Sequence, residues 1–150
     1  MSNRGWLFPL LICATVIAAC GGDSTGPSAA SVAGAWTMSA TNVSGQGVSC
    51  NLAPTPVTLS QSGITFTGTY GPGTVTCVSG IESVSFPVQG NVVSGTLNGN
   101  SVQFDLDTQD VRLTGTLSGN SMSGTARWTI DFAGDIGVVT LNGNWAAARQ

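Results

Sequence analysis

The sequence predicts an all-β protein, a single antiparallel meander that closes into a barrel of about eight to ten short strands. Three observations predict this fold. Apolar and polar residues alternate with a period of two from Trp36 onward, and no stretch there has a helical period. The 21 glycines, with many Ser, Thr and Asn residues, supply turns. Only 7% of residues are charged, and weakly charged strands make poorly protected sheet edges, which barrel closure removes.

Residues 1–19 are typical of a secretory signal peptide. Arg4 precedes an apolar run from Trp6 to Ala19 that Pro9 interrupts. This run is shorter than the stretch of about 20 residues that a membrane-spanning helix needs. We therefore expect residues 1–19 to direct export rather than to span a membrane.

The end of this apolar run, Ile17-Ala18-Ala19-Cys20, resembles the lipobox of bacterial lipoproteins. The resemblance implies that the signal peptide is cut before Cys20, and that Cys20 carries a diacylglyceryl thioether and an acylated amine. The alternative is an ordinary signal peptide with an unrelated cysteine. Because Gly21, not aspartate, follows the cysteine, the resemblance implies the outer membrane, on its periplasmic or its exterior face, rather than retention at the inner membrane.

Residues 20–33 comprise the lipidated Cys20 and a linker rich in Gly, Ser and Ala. About 13 residues of random coil have a root-mean-square span of roughly 20 Å. Several acyl chains anchor a protein stably where a single chain would be marginal. We therefore expect a barrel domain at residues 34–150, held near the membrane by this linker.

Cys50 and Cys77 are predicted to form a disulfide bond. Cys13 leaves with the signal peptide and Cys20 carries lipid, so these two cysteines remain as a pair in an oxidising compartment. A metal site would need two further His or Cys ligands, and the chain has no histidine. We expect no metal and no other cofactor.

Alternating apolar residues mark the inward face of each predicted strand, and the polar residues between them are expected to face outward. The inward sets are Val84, Phe86 and Val88; Val102, Phe104 and Leu106; Val111, Leu113, Gly115 and Leu117; and Met122, Gly124, Ala126, Trp128, Ile130 and Phe132. Turns between strands are predicted at Ser62-Gly63, Gly71-Pro72-Gly73, Gly90-Asn91, Asn98-Gly99-Asn100, Ser118-Gly119-Asn120 and Gly134-Asp135.

A glycine recurs on the inward face of several predicted strands, and it allows two interpretations. It can permit the sharp coiling that a small barrel needs, or it can leave room for a ligand. The glycines and their inward neighbours are Phe66-Gly68-Tyr70, Val93-Gly95-Leu97, Leu113-Gly115-Leu117, Met122-Gly124-Ala126 and Leu141-Gly143-Trp145.

The segment Gly34-Ala35-Trp36 resembles the Gly-x-Trp opening of the lipocalin and calycin superfamily. There the tryptophan closes one end of the barrel and packs against a late arginine, so the resemblance pairs Trp36 with Arg149. The segment TFTGTYGPG also resembles the second strand of the avidins, which places Tyr70 where that family contacts biotin. The tryptophans that wall the avidin pocket have no counterparts in this chain.

Charge and residue types argue against several functions. With four Lys and Arg residues in total and a net charge of −3, the chain is not expected to bind nucleic acid. Without histidine or lysine no serine is activated, so we expect no catalytic residue and no enzyme. The cluster Asp105, Asp107 and Asp110 could hold calcium or serve acid–base chemistry, or it could be a solvated face.

Two functions remain for a lipid-anchored barrel of the cell envelope. In the first, the barrel binds a small apolar ligand, with Phe66, Tyr70, Phe104 and Trp128 as contacts, or binds an envelope protein or a glycan on its outer surface. In the second, the protein is a structural or interaction lipoprotein with a filled barrel and no small-molecule ligand. The interior volume distinguishes the two, because aromatic side chains that meet at the centre would fill the barrel.

Overall fold

The computed structural model describes residues 30–107, 110–132 and 137–150, and these form a closed barrel of eight antiparallel strands. The strands are β1 (Gly34–Gly45), β2 (Val48–Ser62), β3 (Thr65–Ser79), β4 (Glu82–Asn98), β5 (Ser101–Leu106), β6 (Asp110–Ser118), β7 (Ser121–Phe132) and β8 (Gly137–Arg149). Each strand pairs with the next, and β1 pairs with β8. The predicted all-β meander barrel is confirmed. The signal peptide, Cys20, the first part of the linker and the predicted turn at Gly134-Asp135 lie outside the described residues.

The two ends of the barrel can be told apart by the strand connections that lie at each of them. Consecutive connections of an antiparallel meander alternate between its ends, so the β2–β3, β4–β5 and β6–β7 turns share one end with the start of β1 and the end of β8. We call this the Trp36 end. The β1–β2 and β3–β4 turns lie at the opposite end, close to Cys50 and Cys77, which we call the disulfide end. Among the described residues, no helix is long and apolar enough to cross a membrane.

The strands are longer than expected, because two of the predicted turns are wrong. Gly71-Pro72-Gly73 lies within β3 and Gly90-Asn91 lies within β4. Gly90 pairs with Tyr70 and Gly73 pairs with Val88, so the register of the β3–β4 pair shifts between Tyr70 and Gly73. Strand β3 has one extra residue here, which forms a β-bulge, and the chain does not reverse direction. The turns predicted at Ser62-Gly63, Asn98-Gly99-Asn100 and Ser118-Gly119-Asn120 are present.

The barrel interior is the hydrophobic core, and buried apolar side chains come from all eight strands. At its centre Phe104 packs edge-on against two aromatic rings, with ring centroids 5.7 Å from Phe66 and 5.3 Å from Trp145. Ser, Thr and Asn side chains occupy most of the alternate, outward positions. The predicted inward and outward faces are therefore correct for most of the chain.

Two inward predictions on β4 are wrong. Val84 is 52% exposed, because it belongs to the tip of the β3–β4 hairpin, where residues 79–85 are all exposed. Val92 rather than Val93 is buried, because the β4–β5 register shifts between Val93 and Thr96, and Ser94 there has a positive φ of 53°. The side chain of Phe132 is not among those described.

The inward glycines mark places where strands approach closely, not places that are empty. A Cβ atom on Gly124 would overlap the Thr114 carbonyl oxygen, and one on Gly68 would overlap the Thr58 carbonyl oxygen. A Cβ atom on Gly143 would lie 2.5 Å from the Cα atom of Val43. Of the two interpretations, the coiling of a small barrel accounts for these glycines.

Candidate functional site

Trp36 and Arg149 are in contact at one end of the barrel. They face each other in the β1–β8 pairing, and the Arg149 guanidinium carbon lies 4.4 Å from the centroid of the Trp36 ring. The same guanidinium donates hydrogen bonds to the carbonyl oxygens of Ala33 (2.5 Å) and Ser31 (2.7 Å). The Trp36 indole Nε1 donates to the Val32 carbonyl oxygen at 2.7 Å. Arg149, near the end of β8, thus holds the segment that leads into β1 in place.

Cys50 and Cys77 form a disulfide bond near the other end of the barrel, as predicted. They are directly opposite in the β2–β3 pairing, with Cα atoms 4.0 Å apart. Both side chains are buried on the inner face, one inward position away from Leu52 and Val75. The disulfide therefore fixes the β2–β3 pair beside the part of the interior that those two residues line.

A cavity of about 30 Å³ lies in the half of the barrel towards the disulfide end. The cavity reaches the surface beside Phe86, whose side chain is only partly buried, and Val88, which is 8% exposed. The lining is almost wholly apolar and comes from β2 to β7: Leu52, Tyr70, Val75, Phe86, Val88, Leu106, Val111, Trp128 and Ile130.

The four residues predicted to contact a ligand fall into two groups. Tyr70 and Trp128 line the cavity, whereas Phe66 and Phe104 belong to the aromatic packing at the centre of the barrel. Most of the other lining residues are aliphatic side chains that the sequence marked only as core. Their grouping depends on the register between strands, which alternation along one strand does not specify.

Trp128 stands out among the lining residues because it has a buried polar atom without a partner. Its side chain is 5% exposed, and its indole Nε1 has no hydrogen-bond partner among the described residues. It also lines a second, smaller cavity of about 10 Å³ deeper in the barrel, which shares Leu52, Leu106 and Val111 with the first. Trp128 therefore stands between the outer cavity and the aromatic centre.

The three clustered aspartates do not converge on one point. Asp105 accepts two hydrogen bonds from the Arg112 guanidinium, at 2.9 and 3.1 Å, and this pairing raises the pKa of Arg112. Asp107 accepts hydrogen bonds from the backbone N–H and the side-chain amide of Asn91, both at 2.6 Å, and these lower the pKa of Asp107. Within the described part of the chain, no three His, Cys, Asp or Glu side chains are grouped to hold a metal ion.

A polar depression of about 160 Å³ lies on the outer face, lined by Asp110, Arg112, Arg127 and Thr129. Arg112 and Arg127 are directly opposite in the β6–β7 pairing, where like charges are unfavourable. The Asp105 carboxylate offsets this repulsion by pairing with Arg112. The charged side chains that line the depression thus belong to a local network of charges.

No protein family, curated protein sequence or solved structure matches this chain. What the cavity can bind therefore follows from its lining and its volume.

Proposed function

We propose that this chain is a lipid-anchored protein of the cell envelope whose barrel binds a small apolar group in the cavity near its disulfide end. The observation that supports this most is the cavity itself, which is apolar and reaches the surface of a barrel whose centre is filled by aromatic side chains. Pockets for drug-sized ligands are about 300–1,000 Å³, so a volume of about 30 Å³ admits only a few atoms. The occupant is the end of a slender apolar chain or an apolar molecule of a few atoms.

The position of the anchor is consistent with such a role. The described chain enters the barrel at the Trp36 end, where Arg149 holds Ser31 and Ala33. The cavity lies towards the opposite end. An acylated Cys20 and its linker would then attach to the Trp36 end and leave the cavity accessible. Because the anchored protein stays in the envelope, its apolar ligand is one that occurs there.

Binding of a simple hydrocarbon probe tests the apolar site. The full chain with Cys20→Ser, which removes the acylation site, is titrated with propane, a three-carbon probe, while backbone amide resonances are followed. We expect shifts confined to the cavity residues, and their loss in Val88→Phe, which places a ring in the cavity. Val138→Phe is the matched control, because Val138 is 62% exposed on the outer surface. Shifts that persist in Val88→Phe, or no shifts at all, would contradict the proposal.

The lipid anchor is tested separately. In the bacterial host we expect the native chain to incorporate labelled fatty acid and to partition into detergent. The Cys20→Ser chain should incorporate none. A native chain without label, or the same labelling in both chains, would contradict lipidation at Cys20.

A second function, that of an interaction lipoprotein with a filled barrel, is favoured by different observations. The contacts of Phe104 with Phe66 and Trp145 fill the centre. The tip of the β3–β4 hairpin exposes Ile81 completely and Val84 by 52%, as a protein-contact surface would. If this function holds, Ile81→Ser should abolish cross-linking to an envelope protein in intact cells, and Val88→Phe should leave it unchanged.

A further inference from the structure

We infer that the ligand of the cavity carries a hydrogen-bond acceptor, such as a carbonyl or ether oxygen, that pairs with the indole N–H of Trp128. This inference rests on the proposed function, since it specifies the chemistry of what the cavity binds. An apolar molecule with one oxygen would be preferred over a pure hydrocarbon of the same shape.

The three described tryptophans differ in how their indole N–H groups are paired. The Nε1 of Trp36 donates to the Val32 carbonyl oxygen at 2.7 Å, and that of Trp145 donates to the Thr114 carbonyl oxygen at 3.0 Å. The Nε1 of Trp128 is shielded from solvent but makes no hydrogen bond to any described residue. Roughly 90% or more of buried polar groups in native structures are paired. The exception at Trp128 therefore needs an acceptor from outside the described chain.

An acceptor can approach Trp128 from the larger of the two cavities that it lines. The only other residue of that lining with a polar side-chain atom is Tyr70. The lining thus offers a potential ligand one unpaired donor in apolar surroundings. A site of this kind discriminates by chemistry as well as by shape, because a hydrocarbon would leave the donor unpaired and an oxygen would satisfy it.

Water is the competing acceptor. A cavity of about 30 Å³ is large enough to hold a water molecule. A water that bonds tightly to the indole would satisfy it without any ligand. The test must therefore separate an acceptor on the ligand from a bound water.

The experiment compares two small probes of the same shape, acetone and isobutene, which differ by an oxygen in place of a CH₂ group. Dissociation constants for both are measured by NMR titration of the full chain with Cys20→Ser, and again with Trp128→Phe added. Phenylalanine keeps an aromatic ring but lacks the N–H. The ratio of the two constants is compared between the chains, which cancels the different affinities of the probes for water. Trp36→Phe is the control, because Trp36 lies at the other end of the barrel.

We expect Trp128→Phe to weaken the binding of acetone relative to isobutene by about 2- to 12-fold, which corresponds to the usual net contribution of one hydrogen bond. Trp36→Phe should leave the ratio unchanged. In the chain with Trp128 intact, acetone but not isobutene should move the Trp128 indole N–H resonance downfield, a readout that does not depend on the variant folding.

Two results would overturn the inference while leaving the apolar site standing. One is binding of both probes with a ratio that Trp128→Phe leaves unchanged. The other is an indole resonance that is already downfield in the free protein and does not respond to acetone, which would assign the acceptor to water. If neither probe shifts any cavity resonance, the proposed function itself fails.

Discussion

The Arg149 side chain contacts the face of the Trp36 ring, 4.4 Å from its centroid, across the strand pair that closes the barrel. The contact joins the first strand to the last, and the same guanidinium also bonds the segment before β1. One side chain therefore contributes both to the pairing of the first and last strands and to the attachment of the N-terminal segment.

Replacing this arginine should destabilise the fold. Arg149→Ala removes the contact with Trp36 and two charge-assisted hydrogen bonds, so we expect the free energy of unfolding to fall by about 2 kcal/mol. Arg149→Lys should restore only part of this, because an ammonium group lacks the planar fork of donors. Urea unfolding followed by tryptophan fluorescence measures both changes.

The control for this prediction is Arg127→Ala. Arg127 lies on the outer face and makes no ion pair among the described residues, so its loss should change the free energy of unfolding by no more than about 0.5 kcal/mol. Equal effects of the two alanine variants would contradict the role assigned to Arg149.

Loss of the disulfide should also destabilise the barrel. The bond joins residues 27 positions apart, and closing a loop of this length in the unfolded chain is worth about 3–4 kcal/mol. We expect the double variant Cys50→Ala, Cys77→Ala to lose about this much free energy of unfolding and to become insensitive to reductant. Cys20→Ser should keep the native sensitivity to reductant, and a double variant as stable as the native chain would contradict the prediction.

The two tryptophans at opposite ends should respond differently to the same substitution. Trp36→Phe removes a hydrogen bond and leaves the Val32 carbonyl oxygen unpaired, whereas Trp128→Phe removes no hydrogen bond to the described protein. We expect Trp36→Phe to cost about 1–2 kcal/mol more than Trp128→Phe in the absence of ligand. Thermal and urea unfolding of the two variants measure the difference, and a larger cost for Trp128→Phe would contradict it.

The bonds between Asn91 and Asp107 should give a small acid dependence of stability. They lower the pKa of Asp107 in the folded state, so they stabilise the fold above the unfolded pKa, and the contribution is lost as the pH falls through the folded pKa. We expect Asp107→Asn to be less stable than the native chain at about pH 6, and the difference to be smaller at about pH 2, below the usual aspartate pKa of about 3.9. A difference that is the same at both pH values, measured by urea unfolding, would argue against this coupling.

Much of the fold follows from residue types along each strand. Alternation places Val102, Phe104 and Leu106 inside, because a strand buries every second side chain. Pairing of Cys50 with Cys77 follows from the small number of cysteines. The pairing register of neighbouring strands is harder to predict from the sequence, because it depends on the residues of both strands. This is why Gly71-Pro72-Gly73 was expected to be a turn and is a bulge.

The site was harder to predict than the fold for the same reason. Tyr70 and Trp128 were among the expected contacts and line the cavity, since large residues with a polar atom stand out in a sequence. The aliphatic residues around them resemble any other core residue. Whether the Nε1 of Trp128 is paired depends on which acceptors the neighbouring strands place near it. The alternation of residues along one strand does not predict this.

Native mass spectrometry of the processed chain, extracted gently from its own host, tests the central proposal most directly. The account predicts a reproducible noncovalent mass on the native protein and on Val138→Phe, and its absence from Val88→Phe. The bare protein mass in all three would contradict a cavity that binds an apolar ligand and would favour the filled-barrel function. An added mass that Val88→Phe retains would show that the ligand binds elsewhere.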